Sequence, residues 1–164
     1  MRVLRKFRGV STTVAMALVV IAAPLRAQNP KTNLTLGGGA VTFPAPTATD
    51  YINGYVYSAA GVTFTVDATN GNQSHTTTVL IRATSANLGG GKVLADLEWR
   101  RSDLATWNAI TSTNAQVEQR VIVRNGQNDP WNNTVFFRIK LSWTTDAPAT
   151  YTANYQVTLS QTVP

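Results

Sequence analysis

The chain contains no cysteine and a single histidine among its 164 residues. Without thiols there is no disulfide staple, thiolate metal site, catalytic cysteine or lipid-bearing cysteine, so the fold must hold by its core alone. Long apolar runs are missing too. The run Val14–Ala23 has ten residues, whereas a membrane-spanning helix needs about 20. No Gly-x-Ser-x-Gly elbow occurs, which removes one common setting for a nucleophilic serine.

Positive charge is scarce outside the first residues. Arg2, Arg5, Lys6 and Arg8 precede the apolar run and Pro24-Leu25-Arg26-Ala27 follows it, the charged, apolar and small-residue order of a secretory signal. We expect residues 1–27 to be a signal peptide cut after Ala27 or a few residues earlier; the short run favours this over an uncleaved anchor. The chain has 14 basic and 8 acidic residues, and the leader holds five of the basic ones, so the formal charge falls from +6 to +1 on cleavage. The pI of about 10.1 therefore reports the leader. Polyanion binding needs a clustered basic face, so nucleic acid is not an expected partner, nor is a membrane after cleavage. The expected location is secreted, extracellular or at the cell surface, with periplasmic transit if the source is Gram-negative; the compact leader suits bacterial export.

Beyond the leader, threonine is abundant, with 22 in residues 28–164, and it alternates with apolar residues. Branched side chains fit a pleated surface. From Thr134 to Thr144, Val135, Phe137, Ile139, Leu141 and Trp143 share one face, with Phe136 the exception on the other. Tyr151, Ala153, Tyr155, Val157 and Leu159 repeat the pattern after Asp146-Ala147-Pro148, which predicts a terminal hairpin over 134–160 forming one wall of the core. Further strands are expected at Ala40–Phe43, Gly54–Ser58, Val62–Val66, Thr77–Ala83, Val93–Arg100 and Val117–Val123, the last with Val117, Val121 and Val123 on one face. Asn70-Gly71-Asn72 is expected to be a turn, and only Ser102–Asn108 offers a helical turn. Seven or eight short antiparallel strands predict an all-β fold after the leader, an immunoglobulin-like or pilin-like β-sandwich over 40–164, with a closed barrel still open.

Chemistry-bearing residues are sparse. His75 lies in a polar run and reads as a solvent-exposed loop histidine, because a triad would need a nucleophile and an orienting carboxylate beside it. Asp96 and Glu98, two apart on one strand, would stand about 7 Å apart, within reach of paired glycosidase acids, but Arg100 on the same face makes a solvated strand face the better reading. The loop 125–133 carries oxygen ligands with one carboxylate, Asp129, thin support for calcium. The sequons at Asn33, Asn72 and Asn132 carry no weight in a chain of this composition. No catalytic, cofactor or metal residue is expected, and the chain reads as a non-enzyme.

Two features point to binding. Trp99 and Trp143 fall on apolar strand faces and are expected in the core, whereas Trp107 and Trp131 fall in loops, where they could stack on carbohydrate or merely cover the ends of the core. Residues 28–39 form a segment in which Asn33-Leu34-Thr35-Leu36 precedes Gly37-Gly38-Gly39, an extended piece on a flexible hinge. It either pairs as the first strand of its own sheet or adds to a neighbour's sheet edge, with Leu34 and Leu36 as donor-strand anchors. The second case makes self-association, or association with other surface proteins, the expected partnership.

The ending Pro148-Ala-Thr-Tyr151-Thr-Ala-Asn-Tyr155-Gln-Val-Thr-Leu159 is similar to the closing strand of secreted bacterial pilin-like β-sandwich proteins, the spore coat U-like and chaperone–usher pilus subunit type. The resemblance covers about the last third of the chain beyond the leader. It implies a non-catalytic surface or filament subunit joined by strand addition. The lack of cysteine departs from relatives that carry a disulfide.

Overall fold

The computed structural model describes residues 32–37, 40–68, 74–123 and 130–163; the expected leader and the Asn70–Asn72 turn lie outside them. Within them the chain is strand-rich: β1 (Thr32–Gly37), β2 (Val41–Phe43), a short helix α1 (Ala48–Asn53), β3 (Tyr55–Tyr57), β4 (Val62–Ala68), β5 (His75–Ala83), β6 (Asn87–Gly89), β7 (Lys92–Val93), a single 3-10 turn at Leu94–Asp96, β8 (Leu97–Arg101), β9 (Asn108–Ala109), β10 (Ala115–Ile122), β11 (Trp131–Lys140), β12 (Tyr151–Ala153) and β13 (Tyr155–Thr162). All pairings among these are antiparallel. No helix of the described residues is long and apolar enough to cross a membrane.

A six-stranded sheet runs β1-β4-β11-β8-β9, and β3 pairs with the far half of β11. A three-stranded sheet runs β10-β5-β13, and two short pairs, β12-β2 and β6-β7, complete the set. The two-residue rhythm explains why the sheets bury what they bury: Phe64 and Val66 of β4, Val135, Phe137 and Ile139 of β11, and Leu97 and Trp99 of β8 join Val79 and Ile81 of β5 and Val157 of β13 in one core. Contacts link the sheets directly. The Phe137 and Tyr155 rings lie 5.2 Å apart, the Arg101 guanidinium donates to the Val117 carbonyl at 3.0 Å, and the Gln161 amide donates to the Thr32 carbonyl at 3.2 Å.

Several expectations are corrected. Residues 134–160 do not form a hairpin, because β11 belongs to the six-stranded sheet, β12 pairs with β2 and β13 pairs with β5. Alternation reports which face is oily and is silent about the neighbour. The connecting residues do turn, with the Asp146 N–H donating to the Ser142 carbonyl at 3.1 Å, but the turn does not join paired strands: the Asp146 carboxylate accepts from the Ser142 N–H at 2.7 Å and from the Lys92 ammonium at 2.8 Å, pinning the crossover to the β6-β7 pair. Burial pushes that carboxyl up, but the Lys92 and Ser142 hydrogen bonds outweigh it and leave it below the ordinary aspartate range.

In β10 the register shifts between Gln116 and Glu118. A bulge inserts one residue and sends the following side chains to the opposite face, so Val117 is buried while Val121 is 67% exposed and Val123 also faces out. Helix α1 has no signature in the hydrophobic pattern, because six residues with one buried side chain, Tyr51, give no helical period. Its signals are local: the Thr47 hydroxyl caps the Asp50 N–H, the Asp50 carboxylate accepts from the Thr47 N–H at 2.8 Å, and Gly54 closes the helix at φ 76°. At Ser102–Asn108 there is a turn and extended chain instead of a helix, organised by the Arg101–Asp103 ion pair. The Arg101 hydrogen bond pulls the Asp103 carboxyl down to about 2.

Candidate functional site

Among the described residues, a dense polar and aromatic constellation lies on the outer face of the six-stranded sheet. Register builds it: Arg138 of β11 stands opposite Tyr57 of β3 on one side and Glu98 of β8 on the other, with Lys140 opposite Tyr55 and Phe136 opposite Arg100. These even-numbered β11 positions share one face because successive side chains alternate. Trp107, immediately before β9, folds onto them.

The contacts are specific. The Arg138 guanidinium lies 3.7 Å from the Tyr55 ring centroid and 4.4 Å from that of Trp107, and Arg100 lies 5.1 Å from Trp107 and 5.4 Å from Phe136, all within cation–π range. Tyr57 tilts against Trp107 at 5.8 Å. The Glu98 carboxylate accepts from Arg138 at 2.7 Å and Lys140 at 3.0 Å. Burial alone would raise this carboxyl; the Lys140 and Arg138 hydrogen bonds and charges reverse that and lower it, so it is ionised at neutral pH.

Trp107 is therefore not a bare loop ring. Two guanidinium groups and Tyr57 already pack on it, and the open part of the face is Tyr57, 47% exposed, with Lys140 and the half-buried Arg100. Trp131 is also corrected: it opens β11 and is 6% exposed, with Arg120 at 4.7 Å over its ring. Its flanking Pro130, Asn132 and Asn133 suggest a loop, yet the strand begins directly after the proline. Trp99 is in the core as expected, but Trp143 is 60% exposed and stacks on Tyr51 at 4.6 Å, because β11 ends at Lys140 and its rhythm stops.

His75 is not a loop residue. It opens β5, is buried, and its Nε2 lies 2.9 Å from the Thr32 hydroxyl. Asp96 and Glu98 do not share a strand face, since Asp96 ends the 3-10 turn, where it contacts Lys92 at 3.5 Å and accepts from the Val93 N–H. The loop considered for calcium lies mostly outside the described residues, Asp129 included. Among the described residues no three His, Asp or Glu side chains gather as metal ligands would.

The segment carrying Leu34 and Leu36 is β1, which among the described residues is an edge strand paired over its length with β4 alone, from Thr32 opposite Ala68 to Gly37 opposite Thr63. Leu34 packs partly against the core and Leu36 is 41% exposed. The sequence pointed to Trp107 and to β1; it did not point to Tyr55, Tyr57, Arg100, Arg138 or Lys140. The signal available for them was Phe136, the one large apolar residue on the polar face of β11. No family model matches the chain, and no curated protein or solved structure matches it.

Proposed function

We propose that this chain is a non-catalytic, secreted structural protein of the cell surface or extracellular space, an immunoglobulin-like or pilin-like β-sandwich whose copies associate by exchanging β1. The observation that carries the reading is that, among the described residues, β1 is an edge strand with one partner, followed in the sequence by Gly37-Gly38-Gly39. The β4 edge fits this strand, so the same strand from a second copy fits it equally, with the same backbone hydrogen bonds and side-chain contacts. Exchanging an identical element in this way is a low-cost route to assembly.

The absence of cysteine allows a direct test. Asn33 and Asp67 are register partners with exposed side chains, so Asn33→Cys with Asp67→Cys places one disulfide across the β1-β4 pair. Strand exchange predicts disulfide-linked ladders on a non-reducing gel after incubation of the oxidisable variant at high concentration. Only monomers with an internal disulfide would overturn the reading.

A second reading, a carbohydrate-binding module, is favoured by the Tyr57, Trp107 and arginine face. Binding there needs no exchange of β1.

A further inference from the structure

Arg100 differs from its neighbours. Arg101 has Asp103, and Arg138 and Lys140 share Glu98. Arg100 donates one N–H to the Leu104 carbonyl at 2.8 Å and rests on the Trp107 and Phe136 rings, but no carboxylate of the described residues lies within ion-pair distance of it. The rings hold its guanidinium in place without neutralising it. The face thus carries three cations, Arg100, Arg138 and Lys140, against one carboxylate, Glu98. That local excess is larger than the formal +1 of all residues after the leader.

We propose that this face binds a carboxylate-bearing polysaccharide, with Arg100 taking the carboxylate and Tyr57 taking the apolar face of the sugar. The inference rests on the binding reading above, not on strand exchange. A guanidinium presents paired N–H donors that match a carboxylate, and an exposed aromatic ring with a polar tip suits a ligand that is apolar on one face and hydroxylated at its rim. Phosphate polymers are held by many neutralising cations; here one un-neutralised guanidinium sits among rings beside an ammonium that shares Glu98, which suits a chain carrying one charge per sugar with neutral hydroxyl groups between.

Calorimetric titration of the full chain with polygalacturonate, its methyl ester and poly-glutamate tests this. Polygalacturonate should bind, the uncharged ester should bind about tenfold or more weakly, and Arg100→Gln should lose that same preference, as removal of a charged hydrogen bond requires. Tyr57→Ala should weaken both sugars, with an unchanged far-ultraviolet circular dichroism spectrum establishing that the variants fold. Equal binding of the ester, undisturbed by Arg100→Gln, would overturn the acidic assignment and leave the binding reading standing. Binding of neither sugar would sink both. Poly-glutamate binding as tightly as polygalacturonate would overturn the sugar assignment.

Discussion

Strands β11 and β1 belong to one sheet and differ in almost everything that fixes a strand in place. β11 has β4 and β3 on one side and β8 on the other; its inner face contributes Val135, Phe137 and Ile139 to the core, and its outer face is held by ion pairs and ring contacts. Among the described residues β1 has β4 alone, one half-buried leucine, and at its start the Thr32 contacts with His75 and Gln161. Backbone pairing defines a strand in both cases. What separates them is the side-chain contact that must be broken to remove one, and local opening concentrates where few buried apolar contacts exist.

The comparison breaks most visibly at Phe137, which is fully buried and packs against Tyr155 of the three-stranded sheet. Phe137→Ala should destabilise the fold by about 3–5 kcal/mol, read as a lower urea midpoint. A loss of the same size from Leu34→Ala would erase the distinction between the two strands.

On the outer face, Glu98→Gln should cost about 2 kcal/mol, since it removes the carboxylate that accepts from two charged donors. The pH dependence follows from the lowered Glu98 carboxyl. A group with a depressed folded value binds its proton more weakly folded than unfolded, so its contribution is present above the unfolded glutamate value of about 4.3 and is lost as pH falls through the lower folded value. Urea midpoints of wild type and Glu98→Gln should therefore converge in acid. A constant gap down to the lowest pH at which the protein folds would assign the cost to packing.

How much of this was legible differs along the same line. The inner face of β11 reads directly from the sequence, because burial on one side of a sheet imposes a period of two. Its neighbours do not read, because any strand with that rhythm could lie beside it; hence the expected hairpin with residues 151–159 gave way to strands in three different pairings. In β10 a single bulge inverts the second half of the pattern, and β11 ends at Lys140, one residue before Leu141 and three before Trp143, leaving one in and one out. Trp107 was visible as a candidate, but the residues packed on it come from three strands whose adjacency is a property of register. His75 looked exposed because its sequence neighbours are polar, although those at 76 and 78 alternate with the buried Thr77 on the same strand.

Thr32→Val should act on β1 without disturbing the main core. It removes a hydroxyl 2.9 Å from the His75 ring, and loss of such a bond costs about 1 kcal/mol. Amide hydrogen exchange should accelerate over residues 33–36 and stay unchanged over 135–139. Equal acceleration in both segments would mean that β1 opens only when the whole sheet does, which is incompatible with exchange of β1 alone.

The smallest expected effect is at Leu36, whose side chain is 41% exposed opposite Phe64. A partly exposed leucine has little transfer free energy to lose, so Leu36→Ala should shift stability by no more than about 0.5 kcal/mol, against about 1 kcal/mol for the better-packed Leu34→Ala. The ordering matters more than either value, because it separates backbone fit from side-chain anchoring. If copies exchange β1 into an identical groove, Leu36 stays equally exposed in the assembly and Leu36→Ala should leave the yield of disulfide-linked ladders from the Asn33→Cys, Asp67→Cys chain unchanged. A sharp fall in that yield at unchanged monomer stability would show that assembly buries Leu36 in a contact the single chain does not make.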